Sequence, residues 1–133
     1  SSTINQQIFK DLIGKISTIQ LNFTSGDDQV NQAMESDLLQ LKQQFLHLTS
    51  LAKQLNKRVG LIIMGSSDNT GNPSTNNALS LMRAENTAIA LTTLGLTREQ
   101  MFVTGLGQIS IKDVKNTARK VMFNIIYIED ATK

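Results

Sequence analysis

The chain has 133 residues, a net charge of +2, 40% apolar and 18% charged residues, a balance that fits one globular domain and excludes a disordered or fibrous chain. Aromatics make up 5% with no Trp, too few for the stacking platforms of a single-stranded nucleic-acid binder, and the cations form no basic stripe. Cysteine is absent, which removes disulfides, thiol nucleophiles and Cys-type metal sites, and the lone His47 cannot build a metal site by itself.

No stretch reaches the roughly 18 apolar residues of a membrane span. The chain opens on "SSTINQQ" without Met, the mark of a mature form or an excised fragment, so any targeting signal or anchor is expected outside it. In "INQQIFKDLIGKI", Ile4, Ile8, Leu12 and Ile16 recur at i, i+4 and predict a short helix over 4–16. Ile19, Leu21 and Phe23 then alternate with Gln20 and Asn22, the period of a half-buried strand. The polar run "TSGDDQVNQ" is a connection with a turn at Gly26 and Asp27.

From Met34 to Asn56 the apolar positions Leu38, Leu41, Phe45, Leu48, Ala52 and Leu55 step by three and four and predict a long helix. Glu35 and Asp37 near its start and Lys53, Lys57 and Arg58 near its end complement its dipole. "VGLIIM" at 59–64 reads as a central strand covered on both faces. A second long helix is predicted over 74–94, capped by Gly95, followed by a strand at 101–105 and a long central strand at 120–128. The resulting fold class is α+β, a β-α-β-α-β-β sandwich with a mixed four-stranded sheet and helices packed on one face, plus a short N-terminal helix. The right-handed crossover rule places both long helices on the same face. Residues 1–18 read as a helical extension and 19–133 as the domain proper.

The stretch "GSSDNTGNPSTNNALSLMRA", 65–84, carries only two full charges, Asp68 and Arg83. Asp68 follows the central strand, at the carboxyl end where open sheets bind ligands. On the following helix Asn76, Ser80, Arg83 and Thr87 form a polar stripe beside an apolar one of Leu81, Ala84, Ala88 and Leu91, so Arg83 is expected to project into a shallow polar groove. A carboxylate and a guanidinium so placed match a zwitterion: one accepts from an ammonium, the other grips a carboxylate. The competing structural reading is that Asp68 and Arg83 pair with each other and tie the loop to the helix, "SDNTG" being ordinary turn chemistry. The stretch lacks the spaced carboxylates of a calcium loop and the Gly-Lys-Ser/Thr ending of a phosphate loop. A nucleophile and base cannot be assembled, and a hydrolase built on Asp68 with Ser66 or Ser67 is the weakest of the readings.

"MGSSDNTGNPSTNNALSLMRAENTAIAL", "GLTREQMFVTGLGQ" and "NTARKVMFNI" resemble the OmpA-like peptidoglycan-binding domain over about residues 19–128, whose pattern runs G-x-T-D-x-x-G, N-x-x-L-S-x-x-R-A, a G-x-G turn and N-R-R-V. The resemblance implies a non-enzymatic domain without cofactor or metal that binds peptidoglycan through the meso-diaminopimelate of the stem peptide. Asp68 would hold the side-chain amine of that residue and Arg83 its carboxylate. Asn76, Leu79 and Ser80 match the motif between them, Ser67 replaces the family threonine, Thr70 and Gly71 belong to the loop with Gly65 as its other glycine, and Arg119 retains part of the N-R-R-V signature. It further implies a periplasmic position, a membrane or lipid anchor in the parent protein and no nucleic-acid partner, and leaves a homodimer open. The change to Ala118-Arg119-Lys120-Val121 and a short, proline-free connection "QISIKDVKNTA" support an alternative, an assembly module that has lost peptidoglycan binding.

Overall fold

The computed structural model describes residues 2–68, 72–108 and 119–130. Helix α1 (Ser2–Thr18) leads into strand β1 (Gln20–Asn22); helix α2 (Glu35–Gln54) follows a short 3-10 turn, then strand β2 (Lys57–Ser67) and helix α3 (Pro73–Thr93). Strands β3 (Met101–Gln108) and β4 (Lys120–Asp130) complete a four-stranded sheet in the order β1-β4-β2-β3. β2 and β3 are parallel, whereas β4 runs antiparallel to both β1 and β2. The crossovers β1-α2-β2 and β2-α3-β3 step the same way across the sheet, so right-handed connections stack both long helices on one face.

The helices begin and end where their residues require. Asn72 has an extended backbone and its side chain accepts the Ser74 amide at 2.8 Å, while Pro73 at the first helical position sacrifices no hydrogen bond. Asn56, at φ 57°, turns the chain from α2 into β2, and Gly95, at φ 112°, ends α3 as its position predicted. Lys53 lies in the last turn of α2, but Lys57 and Arg58 already belong to β2, two residues earlier than the apolar run suggested. Among the described residues no helix is long and apolar enough to cross a membrane.

The core lies between the helices and one sheet face: Leu41, Phe45 and Leu48 of α2, Ala84, Ala88 and Leu91 of α3, Leu61 and Ile63 of β2, Val121 and Phe123 of β4. α1 joins it by packing on α2 and β4. Leu12 and Ile16 are buried as their spacing predicted, but Phe9 takes the place expected of the stripe's N-terminal half, stacking 6.1 Å from the Tyr127 ring, while Ile4 is exposed. The expectation that β2 is covered on both faces is corrected. Leu61 and Ile63 point to the helices; Ile62 and Met64, on the opposite face, are only half-buried and neighbour Phe102 of β3 and Met122 of β4 by register. Continuous apolarity here reflects cross-strand packing on an otherwise open face rather than a second helical layer.

Candidate functional site

Helix α3 meets the sheet at unusually close range because two strand positions lack a Cβ. A Cβ on Gly65 would collide with the Ser80 carbonyl, and one on Gly105 would sit 2.7 Å from the Leu81 amide nitrogen. Gly65 thus lies within β2 and admits the helix, rather than shaping the loop beyond it. Gly105 and Gly107 likewise belong to β3 rather than to a turn; Gly107, at φ 66°, donates its amide to Ser80 Oγ at 2.9 Å.

The close approach inverts the expected polarity of α3. Asn76, Ser80, Arg83 and Thr87, read as a groove-facing polar stripe, are all buried together with Ala84, Ala88 and Leu91, whereas Leu81 of the apolar stripe is exposed. The buried hydroxyls are satisfied locally: Ser80 Oγ donates to the Asn77 carbonyl and Thr87 Oγ1 to the Arg83 carbonyl, both at 2.8 Å.

Arg83 has 0% exposure. Its Nε donates to the Asp27 carbonyl at 2.8 Å, Nη1 to the Ser66 carbonyl at 2.8 Å and Nη2 to the Thr24 carbonyl at 3.1 Å, and its guanidinium lies 5.4 Å from the centre of the Phe23 ring. One N–H on each terminal nitrogen has no partner among the described residues. Burial pushes the guanidinium below its usual pKa; the Asp68 charge opposes this, Arg119 adds to it, and Asp27 and Asp28 oppose it. A guanidinium nevertheless stays protonated, so a full positive charge is held beneath the end of β2. Sequence patterning missed its partners, the carbonyls of the connection after β1. The signal was there in "TSGDD": the Asp27 amide turns back to the Thr24 carbonyl at 3.0 Å around Gly26 at φ 75°, and Asp27 Oδ1 accepts the Gln29 amide at 3.0 Å in an Asx turn. Asn86, one turn beyond Arg83, adds a bond from Nδ2 to the Asp28 carbonyl at 2.8 Å.

Asp68 does not pair with Arg83. Its Oδ2 lies 3.5 Å from Arg119 Nη1, with 27% of the Asp68 side chain and 34% of the Arg119 side chain exposed. Arg119 is set in place by its backbone, since its carbonyl accepts the Phe23 amide at 2.8 Å. Beside it, Ser66 Oγ accepts the Lys120 amide at 3.1 Å, joining β2 to β4 immediately before Asp68. The Ser67 hydroxyl is buried and has no hydrogen-bond partner among the described residues. Leu79 is half-buried and Asn76 is buried in the first turn of α3. The fold therefore brings Ser67, Asp68 and Arg119 together at the end of β2, with Arg83 beneath and Asn76 and Ser80 on the adjoining helix. Thr70 and Gly71, and most of the connection "QISIKDVKNTA", lie outside the described residues. Among the described residues no group of His, Cys, Asp or Glu could hold a metal ion.

The model of one known family, the OmpA family, matches residues 22–124. Among solved structures the chain is similar to the peptidoglycan-associated lipoprotein from Burkholderia pseudomallei, with a TM-score of 0.66 and 23% identity over 82% of this chain and 91% of that one. It is also similar to the periplasmic domain of Helicobacter pylori MotB, at 0.58 and 19% over 82% and 74%. A putative MotB-like protein from Desulfovibrio vulgaris matches at 0.64 and 14% over 92% and 94%. No curated protein matches the chain.

Proposed function

Because the chain belongs to the OmpA family, whose model spans residues 22–124, we propose that it binds peptidoglycan non-covalently and tethers a larger cell-envelope protein or complex to the cell wall. The observation that carries this reading is the partly exposed Asp68–Arg119 pair at the end of β2, above the buried charge of Arg83. It presents a carboxylate and a cation side by side, the complement of a zwitterion. The ligand is the meso-diaminopimelate of the stem peptide, with its side-chain ammonium at Asp68 and its carboxylate on the arginine side of the site. Ser67, Asn76, Leu79, Ser80, Thr70 and Gly71 form the surroundings. The similarity to a peptidoglycan-associated lipoprotein and to a periplasmic MotB domain supports a periplasmic position, with the parent protein anchored in a membrane.

Binding rather than catalysis suits the chemistry. Among the described residues Asp68 faces the guanidinium of Arg119, and His47 is exposed on α2. A single site of this kind binds weakly, on the order of micromolar to millimolar. Many copies on a repeating polymer raise the effective concentration enough for tethering. The test is sedimentation with purified peptidoglycan. Wild type is expected to co-sediment and Asp68→Asn to remain in the supernatant with an unchanged melting temperature; a wild type that stays in the supernatant overturns the proposal in favour of an assembly module.

A further inference from the structure

Strand β3 forms one edge of the sheet, and among the described residues no strand lies beyond it. We infer that this edge is an interface between two copies of the chain, joined as antiparallel β3 strands about a twofold axis at Thr104. The two edges of the sheet differ in how they are guarded. β1 has three residues and a lysine beside it, Lys120 Nζ donating to Gln20 Oε1 at 2.7 Å, and a short edge with a lysine resists pairing. β3 has eight residues, "MFVTGLGQ", with no charge and no proline. Its ladder to β2 shifts register only beyond Gly105, so the irregularity lies at the end of the strand and not within it. Arg98 Nη1 takes the Met101 carbonyl at 3.0 Å and Ser80 Oγ takes the Gly107 amide at 2.9 Å. Between these two ends, over 102–106, the backbone groups turned away from β2 have no partner among the described residues.

The order of the side chains points to a second copy as the occupant. Gly105 faces α3, since a Cβ there would lie 2.7 Å from the Leu81 amide nitrogen, so Phe102, Thr104 and Leu106 alternate onto the open face. Phe102 lies across Gly60 on that face, where a Cβ would come within 2.6 Å of its ring. Phe102 is 41% exposed and Leu106 42%. Around Thr104 this order reads the same in both directions: apolar, threonine, apolar. An antiparallel copy centred there sets Phe102 opposite Leu106 of the second copy, twice over, and threonine against threonine, all of them pairs that stabilise sheets. Moving the axis to Val103 or to Gly105 sets Phe102 or Leu106 against Thr104 instead. The strand carries no charge, so two identical edges meet without repulsion. An axis perpendicular to the sheet keeps both copies of α3 on one side, with Leu81, 41% exposed above Gly105, turned toward the junction. Each copy uses its β3 edge once, which closes the contact as a dimer. It engages fewer than the roughly 20–30 residues a side of a standard interface, so weak association is expected, with a dissociation constant of about 10 µM to 1 mM.

The chain contains no cysteine, so single cysteines report the register without background. Directly opposed residues stand about 4.5–5.5 Å apart at Cα, within disulfide reach, whereas the two copies of Phe102 stand about 14 Å apart, beyond it. Under mild oxidation of the whole chain, Thr104→Cys should form a covalent dimer and Phe102→Cys alone should stay monomeric. A mixture of Phe102→Cys with Leu106→Cys should cross-link. Sedimentation equilibrium of the unaltered chain should show a reversible monomer–dimer equilibrium at concentrations up to about 1 mM. Thr104→Lys, which places like charges at the axis, should abolish it, and Ile89→Lys, with the same charge at an exposed position of α3, should not. An unaltered chain that stays monomeric throughout overturns the inference. So does a dimer in which Thr104→Cys fails to cross-link or Phe102→Cys cross-links alone.

Discussion

Arg83 Nη1 donates to the carbonyl of Ser66 at 2.8 Å, a buried bond from the middle of α3 to the end of β2 that stops two residues short of Asp68. With the bonds to Thr24 and Asp27 it makes one side chain the junction of three segments distant in sequence. Replacing it by Met keeps most of the volume and removes every donor, leaving the buried Ser66 carbonyl and the part-buried carbonyls of Asp27 and Thr24 without their charged partner. Loss of three hydrogen bonds from a charged donor, one of them buried, costs about 3–5 kcal/mol. Urea denaturation should show a drop of that size in Arg83→Met, and hydrogen exchange should show the amides of Asp27 and Gln29 losing protection. A loss below about 1 kcal/mol would mean that Arg83 is not a brace.

How far the sequence could be read depended on whether polarity and burial coincide. They coincide in α2, where Leu38, Leu41, Phe45, Leu48 and Ala52 recur with a helical period and are buried. They coincide in and beside β1, where Ile19, Leu21 and Phe23 are all buried. They part in α3. Its buried positions Asn76, Ser80, Arg83, Ala84, Thr87, Ala88 and Leu91 keep the helical period, but four of the seven are polar, and hydrophobicity alone turned the helix the wrong way. The missing information was long-range: Gly65 and Gly105 let α3 sit close enough for small polar side chains to bond to the backbone, and a connection more than fifty residues upstream supplies carbonyls for Arg83. For the same reason the sequence could not show that the charges at 68 and 83 have different partners.

The glycines offer a test of that close approach. Gly65→Ala forces a Cβ into the backbone of α3 at Ser80, where nothing flexible can yield. Overpacking against backbone should cost about 3 kcal/mol or more, or prevent folding. Gly14 of α1 is the control, since a Cβ there meets nothing within 4 Å. Gly14→Ala should raise stability by about 0.5–1 kcal/mol through helix propensity alone. Opposite signs in thermal melts of the two variants would establish the α3 contact; equal and small effects would exclude it.

Helix α1 lies outside the residues that match the family model, but it contributes Phe9, Leu12 and Ile16 to the common core. Ile16 is fully buried and Ile4 is exposed at the other end of the same helix. Ile16→Ala should therefore lower stability by about 2–5 kcal/mol, as a large-to-small change in a core, whereas Ile4→Ala should stay within about 0.5 kcal/mol of wild type. Both variants should unfold in a single transition. A separate early transition in Ile16→Ala would show instead that α1 melts independently of the sheet and the two longer helices.

Ser67 and Ser80, two serines with 0% exposure, should respond in opposite ways to loss of their hydroxyls. Ser80 Oγ both donates to the Asn77 carbonyl and accepts the Gly107 amide, so Ser80→Ala leaves a buried amide unpaired and should cost about 1–3 kcal/mol. Ser67 Oγ has no such partner among the described residues, and its desolvation is not offset there. Ser67→Ala should consequently be neutral or stabilising by up to about 1 kcal/mol. On the proposed peptidoglycan-binding reading, this hydroxyl beside Asp68, without a partner among the described residues, is open to the ligand. The same variant should bind a synthetic stem tripeptide ending in meso-diaminopimelate several-fold more weakly, roughly the weight of one neutral hydrogen bond. A Ser67→Ala domain that is both more stable and equally good at binding would remove Ser67 from the site; one destabilised as much as Ser80→Ala would show that its hydroxyl has a structural partner.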